Sequence, residues 1–269
     1  MEDRAYMVRG ASLYVRESGT GEPLVLLHGG GPGTSSEGWR RVQAALSVQR
    51  TVYALDLPGF GRSAPMRDPD PAAFAELVLA ALDEIGLGPT ALAGHSMGAQ
   101  VAARTALAGE QRFTHLILVA PGGRFFGVRG VQPGILAIER FIAEPSLATM
   151  RTVVELLNAR HDDLAEEMQA RFFNVMAEGR LSNLRALMRR RSASPEGSGA
   201  LLERLRTLSL RTLLVWGGQE RFTPVAHGTL IHAMLPPCAR FAVIEAAGHT
   251  IQHDRPAELA AEISAFMKQ

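Results

Sequence analysis

The sequence predicts an α/β fold, a mostly parallel eight-stranded sheet covered by helices and interrupted by one all-helical insertion. Three observations carry the prediction. Strand-length apolar runs alternate with helix-length stretches through most of the chain, the pattern of a parallel sheet with helices on both faces. The runs are continuously apolar, as strands buried on both faces require. The alternation stops between 122 and 208, where no β-rich run occurs.

Residues 4–17 read as two short strands turning at Gly10. The buried runs follow as PLVLLHG (23–29), RTVYALDLPG (50–59), TALAGHS (90–96), THLILVA (114–120), TLLVWGG (212–218) and ARFAVIEAAG (239–248). Helical stretches lie between and after them at 37–47, 72–86, 97–109, 225–235 and 256–268. In the insertion, Leu147, Met150, Val154 and Leu157 share one helical spacing, and Leu164, Met168, Phe172 and Val175 form a second apolar stripe. PGGRFFG leads into this segment and SASPEGSG breaks it. The division expected is a core of 1–121 and 209–269 with a helical cap over 122–208. Placed beside the C-terminal edge of the sheet, such a cap covers a ligand crevice.

Composition narrows the function classes. The 28 basic and 27 acidic residues leave a net charge of +1 in 269 residues, which gives no footprint for nucleic acid or a membrane surface. The run Arg189-Arg190-Arg191 reads as a solvated helix end, where cations suit the dipole. The one cysteine, Cys238, allows no internal disulfide, fits a reducing compartment and reads as a packing residue. No apolar segment opens the chain, and no run approaches the ~18 residues of a membrane span. The expectation is a cytoplasmic protein acting on a small molecule, without a cofactor or metal, with a homodimer or higher homo-oligomer left open.

The chemistry concentrates in four stretches. GHSMG (94–98) matches G-x-S-x-G between an apolar strand and a helix, the context in which this motif places a serine on a sharp, exposed turn. Ser96 is the nucleophile candidate. HGGGPG (28–33) follows another strand, and a glycine run allows backbone N–H groups to approach a developing oxyanion. The donors expected are Gly30 and Met97, the latter following the nucleophile. Gly29 and Gly31 flank the substrate. A phosphate-binding reading fails, because neither GxGxxG nor a P-loop Lys-Ser/Thr is present.

Serine needs a base beside it. Of eight histidines, His249 follows the last strand and precedes the last helix, so its loop emerges at the same sheet edge as Ser96. His253 supports that loop, and His95 lines the pocket. His227 and His232 fall on different faces of one helix and make a poor metal pair. The acid belongs between nucleophile and base in chain order. WGGQERFTP supplies Glu220, while VAPGGRFFG, the other known location, holds no acid. Asp56 fixes its own turn, and Asp254 lies too close to His249 in sequence. Glu220 is therefore the third member by elimination, against the alternative of a solvated glutamate beside a Ser-His dyad.

These stretches, in this order, resemble the α/β-hydrolase superfamily over essentially the whole chain. LHGGGPG, PGG, RFTPVAHG and EEMQARF carry a closer resemblance to the meta-cleavage-product hydrolases, which split carbon–carbon bonds in ring-opened aromatic compounds. The resemblance implies that Arg171 binds a substrate carboxylate. Independently, Arg171 falls near the centre of an apolar helix stripe, where an arginine either snorkels or meets an anion. The chain departs from the family at Glu220, where an aspartate is usual, and at three expected substrate contacts. These are Arg41, His95 and Thr250, in place of Asn, Asn and Trp.

Three functions follow. The first is cofactor-independent hydrolysis of a carbon–carbon bond in a 2-hydroxy-6-oxo-dienoate or related diketone, by a Ser-His-Glu triad. The second is a carboxylesterase, lactonase or thioesterase using the same residues. The third is a small-molecule-binding protein without catalysis.

Overall fold

The computed structural model describes residues 2–122, 126, 132–193 and 200–268. The chain opens on an antiparallel hairpin, β1 (Glu2–Val8) and β2 (Ala11–Ser18). Its two-residue turn, Arg9-Gly10, has φ of 49° and 80°, the paired left-handed conformations that match strand twist in a tight hairpin. The rest of the sheet comprises β3 (Pro23–Leu27), β4 (Thr51–Leu55), β5 (Thr90–His95), β6 (Phe113–Val119), β7 (Arg211–Gly217) and β8 (Arg240–Ile244). The order is β1-β2-β4-β3-β5-β6-β7-β8, parallel from β4 onward. Parallel strands put all their C-terminal ends at one edge, where open α/β sheets bind ligands. The loops carrying Gly29 to Gly31, Ser96, Glu220 and His249 all leave that edge.

Period-2 alternation splits each strand between two cores. Leu24 and Leu26 join Trp39, Val42, Ile263 and Phe266 on one face. Val25 and Leu27 join Phe74, Leu82 and Val101 on the other. Each such side chain contributes about 1.5–3 kcal/mol on burial. The first face is covered by α1 (Arg40–Leu46) and α11 (Pro256–Met267), the second by α2 (Pro71–Ile85), α3 (Met97–Ala108) and α9 (Val225–Met234). Local signals set the helix ends. For α2, the Asp70 carboxylate accepts the Ala72 and Ala73 N–H groups, Pro71 follows, and Gly86 at φ 78° stops the helix.

Between β6 and β7 the described residues are helical: α4 (Pro133–Ala143), α5 (Leu147–Leu157), α6 (Leu164–Met176), α7 (Arg180–Ala193) and α8 (Ala200–Leu205). Helices α4 to α7 form a third cluster around Ile138, Phe141, Met150, Val154 and Val175. The stretches PGGRFFG and SASPEGSG lie largely outside the described residues.

Several expectations need correction. Leu201, Leu202, Leu205 and Leu208 pack into the sheet's core, so α8 belongs with the core although it precedes residue 209. Leu147 is 42% exposed; Val153 fills the place expected for it beside Met150 and Val154. Cys238 is exposed, because it follows a Pro-Pro turn outside the core. A short helix, α10 (Ile251–Asp254), stands between His249 and α11. Among the described residues no helix is long and apolar enough to cross a membrane.

Candidate active site

Ser96 sits between β5 and α3 at φ 54°, ψ −112°, a left-handed backbone that a non-glycine residue adopts only under constraint. The constraint comes from close packing of α3 onto β3. A Cβ on Gly98 would lie 2.4 Å from the His28 carbonyl oxygen, so only glycine lets the helix start there. The Met97 N–H opens α3 and therefore has no acceptor within the helix. The Gly30 N–H has no protein acceptor among the described residues. Gly30 packs directly on the Met97 side chain, which brings the two amides to one wall.

His28 holds the glycine loop. Its Nε2 accepts from the Leu57 N–H at 2.9 Å, so Nδ1 carries the proton and donates to the Gly29 carbonyl at 2.7 Å. Burial pushes its pKa down against the opposing pull of Asp56, keeping the ring neutral. The Asp56 carboxylate accepts from the Ser36 and Arg62 N–H groups at 2.6 and 2.7 Å, fixing the adjoining turns.

Glu220 leaves β7 and turns inward. Its Oε1 accepts from the Phe222 and Thr223 N–H groups at 2.7 and 2.9 Å, and its Oε2 lies 2.7 Å from His249 Nδ1. A carboxylate so held fixes the imidazole and favours the protonated ring during catalysis. The His249 ring is stacked on Phe222, with centroids 4.4 Å apart and planes 18° apart. His95 lies against its other neighbourhood at 4.8 Å. Ser96 Oγ makes no hydrogen bond among the described residues, although Ser96 and His249 line the same cavity. Catalytic contacts of this kind commonly tighten only with substrate bound.

That cavity, about 960 Å³, runs between the sheet edge and the cap. Gly29, Gly30, Gly31, His95, Met97, Arg171 and Thr250 line it with Ser96 and His249. His95 Nε2 donates to the His249 carbonyl at 2.9 Å. Burial first, then the charges of His249 and Arg171, hold its pKa well below that of free histidine. It is therefore neutral and turns an acceptor nitrogen elsewhere. Arg171 is half-buried; its Nε donates to Glu167 Oε1 at 2.7 Å and its Nη1 has no partner. The Thr250 hydroxyl and Gln252 Oε1 are likewise buried without partners. Arg41 differs: its side chain is 61% exposed and meets Asp163 at 3.5 Å, which places it on the rim.

Asp163, Glu167 and His253 are close enough together to hold a metal ion. Their charges are already offset, however. His253 Nε2 lies 3.1 Å from Asp163 and 3.3 Å from Glu167, Arg41 faces Asp163, and Arg171 and Asn158 donate to Glu167. The group works as an ion-pair clasp between cap and core. Asp254 completes it. Its carboxylate accepts from the Gly248 and Ala159 N–H groups at 2.7 and 2.8 Å and from Arg160 at 3.2 Å. The histidine loop is thereby tied to the segment joining α5 and α6, with Thr250 N–H donating to the Leu157 carbonyl at 3.0 Å.

Sequence reasoning missed three contributors. Phe222 was visible in QERFTP as an aromatic two residues after the acid. Asp254 was weighed only as a triad acid, and His28 only as part of a glycine motif.

The sequence matches the model of the alpha/beta hydrolase family over residues 24–262. It is 28% identical over 247 residues to a 2-hydroxy-6-oxo-6-phenylhexa-2,4-dienoate hydrolase from Burkholderia cepacia, covering 89% of this chain and 85% of that one. It is 29% identical, with the same coverage, to a 2-hydroxy-6-oxononadienedioate/2-hydroxy-6-oxononatrienedioate hydrolase from Comamonas testosteroni. In structure it is similar to the 2-hydroxy-6-oxo-6-phenylhexa-2,4-dienoate hydrolase of Rhodococcus sp. strain RHA1, with a TM-score of 0.90 at 20% identity over 100% of this chain and 99% of that one. With the strand order, the turn at Ser96 and this match over most of its length, the chain belongs to the alpha/beta hydrolase family and is a hydrolase by class.

Proposed function

We propose that the protein hydrolyses a carbon–carbon bond in a 2-hydroxy-6-oxo-dienoate or related diketone acid, with Ser96, His249 and Glu220 as its triad. One observation carries the reading. The buried Glu220–His249 pair brings His249 to the cavity that Ser96 lines, and Arg171 lines the same cavity with its Nη1 buried and without a protein partner. A substrate carboxylate in the cavity pairs with the Arg171 guanidinium through charge-assisted hydrogen bonds. Relatives named as dienoate hydrolases support the same assignment.

The chemistry follows from the residues. Arg171 anchors the carboxylate and sets the reacting carbonyl near Ser96. His249 takes the proton of Ser96 or of water, Glu220 orients His249 and stabilises its imidazolium, and the Gly30 and Met97 N–H groups hold the oxyanion. Each such donor is worth about 10²–10³ in kcat. The substrate's own enol proton moves to the carbon beside the reacting carbonyl, and the oxygen of water, directly or after Ser96, bonds to the acyl carbon. The carbon–carbon bond then breaks with its electron pair leaving on the dienoate fragment, which takes up the proton held by His249, and the acyl part leaves as a carboxylic acid.

His95 and Thr250 stand where the resembled family carries Asn and Trp, so ester hydrolysis is the reading to test against. The test sets loss of visible absorbance by a dienoate panel beside p-nitrophenyl ester turnover. Bleaching with release of the carboxylic acid is expected. Efficient ester turnover with no bleaching rejects carbon–carbon cleavage.

A further inference from the structure

The Arg171 guanidinium is divided between the protein and the cavity it lines. Its Nε is held by Glu167 Oε1 at 2.7 Å. Its Nη2, unlike the enclosed Nη1, is not shut away and makes no hydrogen bond among the described residues, so that end of the fork is left for an anion. Glu167 sits four residues earlier on α6, the spacing and order that suit a helical ion pair. It therefore sets the direction of the arginine and also offsets the charge that an anion would meet. Its second oxygen is not idle. Oε2 accepts from Asn158 Nδ2 and lies 3.3 Å from His253 Nε2. Arg151 and Glu155 make the same four-residue pair on α5, but both are exposed and no third side chain joins them among the described residues. Arg171, Glu167 and His253 have side chains only 11%, 14% and 16% exposed, so their charges act on one another with little screening.

His253 also lines the cavity, from the core side. The charged groups that face it are Asp254 on its own helix, Asp163 and Glu167 of the cap, and, one step further out, Asp162, Arg171, and Arg41 of α1, which meets Asp163. Glu37 and Glu258, on the other elements packed against α10, are exposed and make no pair with it. We infer that His253 sets, through Glu167, how strongly the cavity takes an anion at Arg171, and that anions bind more tightly while His253 carries its proton. Protonated, His253 shares the charge of Glu167 with Arg171. Neutral, it leaves Glu167 to the arginine and removes one positive charge from the cavity wall. Both changes weaken an anion at Arg171. Burial lowers the pKa of His253, but Asp254, Glu167 and Asp163 outweigh it and raise it above that of free histidine, so the proton is held into the neutral range. On the function proposed above, the anion is the substrate carboxylate; the balance itself requires only that Arg171 meets an anion.

The test measures binding of hexa-2,4-dienoate, which has no ketone to cleave, and of its neutral amide. Calorimetry follows both from about pH 6 to pH 9, a range in which the carboxylate stays ionised, on the wild type, His253→Gln and Glu167→Gln. In the wild type, the advantage of the carboxylate over the amide is expected to fall by about 3- to 10-fold as pH rises through the His253 transition. In His253→Gln it is expected to be independent of pH, at the level the wild type reaches at high pH. Glu167→Gln keeps an acceptor for Arg171 Nε without the charge, so the carboxylate is expected to bind at least as tightly as it does to the wild type at low pH, with a smaller fall. The wild-type result decides alone should either variant fail to fold. An advantage that does not change with pH, a change that survives in His253→Gln, or no binding of the carboxylate overturns the inference. Parallel loss of both ligands overturns it too, since that reports a loosened cap rather than a charge. Bleaching of the 2-hydroxy-6-oxo-dienoate panel is scored separately. Bleaching without the pH-dependent advantage keeps the proposed function and overturns the role of His253, and the advantage without bleaching does the reverse.

Discussion

Two regions of one cavity are built on opposite terms. At the sheet edge, three side chains, His28, Glu220 and Asp254, are held by the protein itself. His28 is bonded at both ring nitrogens, Glu220 uses both oxygens, and Asp254 gathers three backbone N–H groups. Across the substrate-facing lining, Arg171, Thr250, Gln252 and Gln100 each keep a buried polar atom without a partner. The difference teaches where work is divided. On the proposed function, the base His249 and its acid Glu220 are fixed before substrate arrives, while Ser96 Oγ is left free for it. On the same proposal, Arg171 of the lining is completed by a substrate carboxylate, and a molecule without one leaves it unpaired.

The sharpest way to break this comparison is at the fixed wall. Ser96→Ala is expected to lower kcat by about 10³-fold or more, and Glu220→Gln by a similar factor, with KM little changed. Glu220→Asp is expected to keep partial activity, because a chain one methylene shorter strains to meet both the Phe222 and Thr223 N–H groups and His249. Steady-state rates check all three; wild-type rates for Glu220→Gln would show that another group orients the base.

Recognition is tested next. Arg171→Met is expected to raise KM for a dienoate by about 10- to 100-fold while kcat changes less, the signature of a binding contact. Esters without a carboxylate should not respond. Equal losses on both substrate types would assign Arg171 a structural role.

Phe222 joins the two regions. It stacks on His249, and a Cβ on Gly134 of cap helix α4 would strike its ring at 1.7 Å. Phe222→Leu and Gly134→Ala are expected to lower kcat by about 10-fold each through misplacement of the base. A double variant should lose less than the product of the two, since both act through one ring.

The smallest effect concerns pH. Burial lowers the His253 pKa, but Asp254, Glu167 and Asp163 outweigh it and raise it above that of free histidine. A raised histidine pKa adds stability that is complete below about 6.5, the unfolded value, and is lost as pH climbs through the folded one. Asp254 works oppositely. Burial raises its pKa, but hydrogen bonds from His253 and the Ala159, Gly248 and Arg160 backbone outweigh that and lower it, so its contribution is lost only in strong acid. Hydrogen exchange at Ala159 and Arg160 is therefore expected to quicken, beyond its intrinsic pH dependence, as pH rises through the His253 transition. In His253→Gln that extra acceleration should vanish.

Legibility in the sequence follows the same division. The meeting of Ser96, His249 and Glu220 at one sheet edge was readable because turn glycines and chain order constrain them, and the strands because parallel-sheet burial makes each a continuous apolar run. The extra helix α10, the exposure of Cys238 and the packing of α8 were not, since each is decided by tertiary neighbours rather than local pattern.

The account stands on Ser96 being activated within this set of loops, and a fluorophosphonate probe with intact-mass detection tests that most directly. Folded wild-type protein is expected to gain one adduct, mapped to Ser96, with labelling strongly slowed in Glu220→Gln. Folded protein that takes no label at Ser96 would contradict the account.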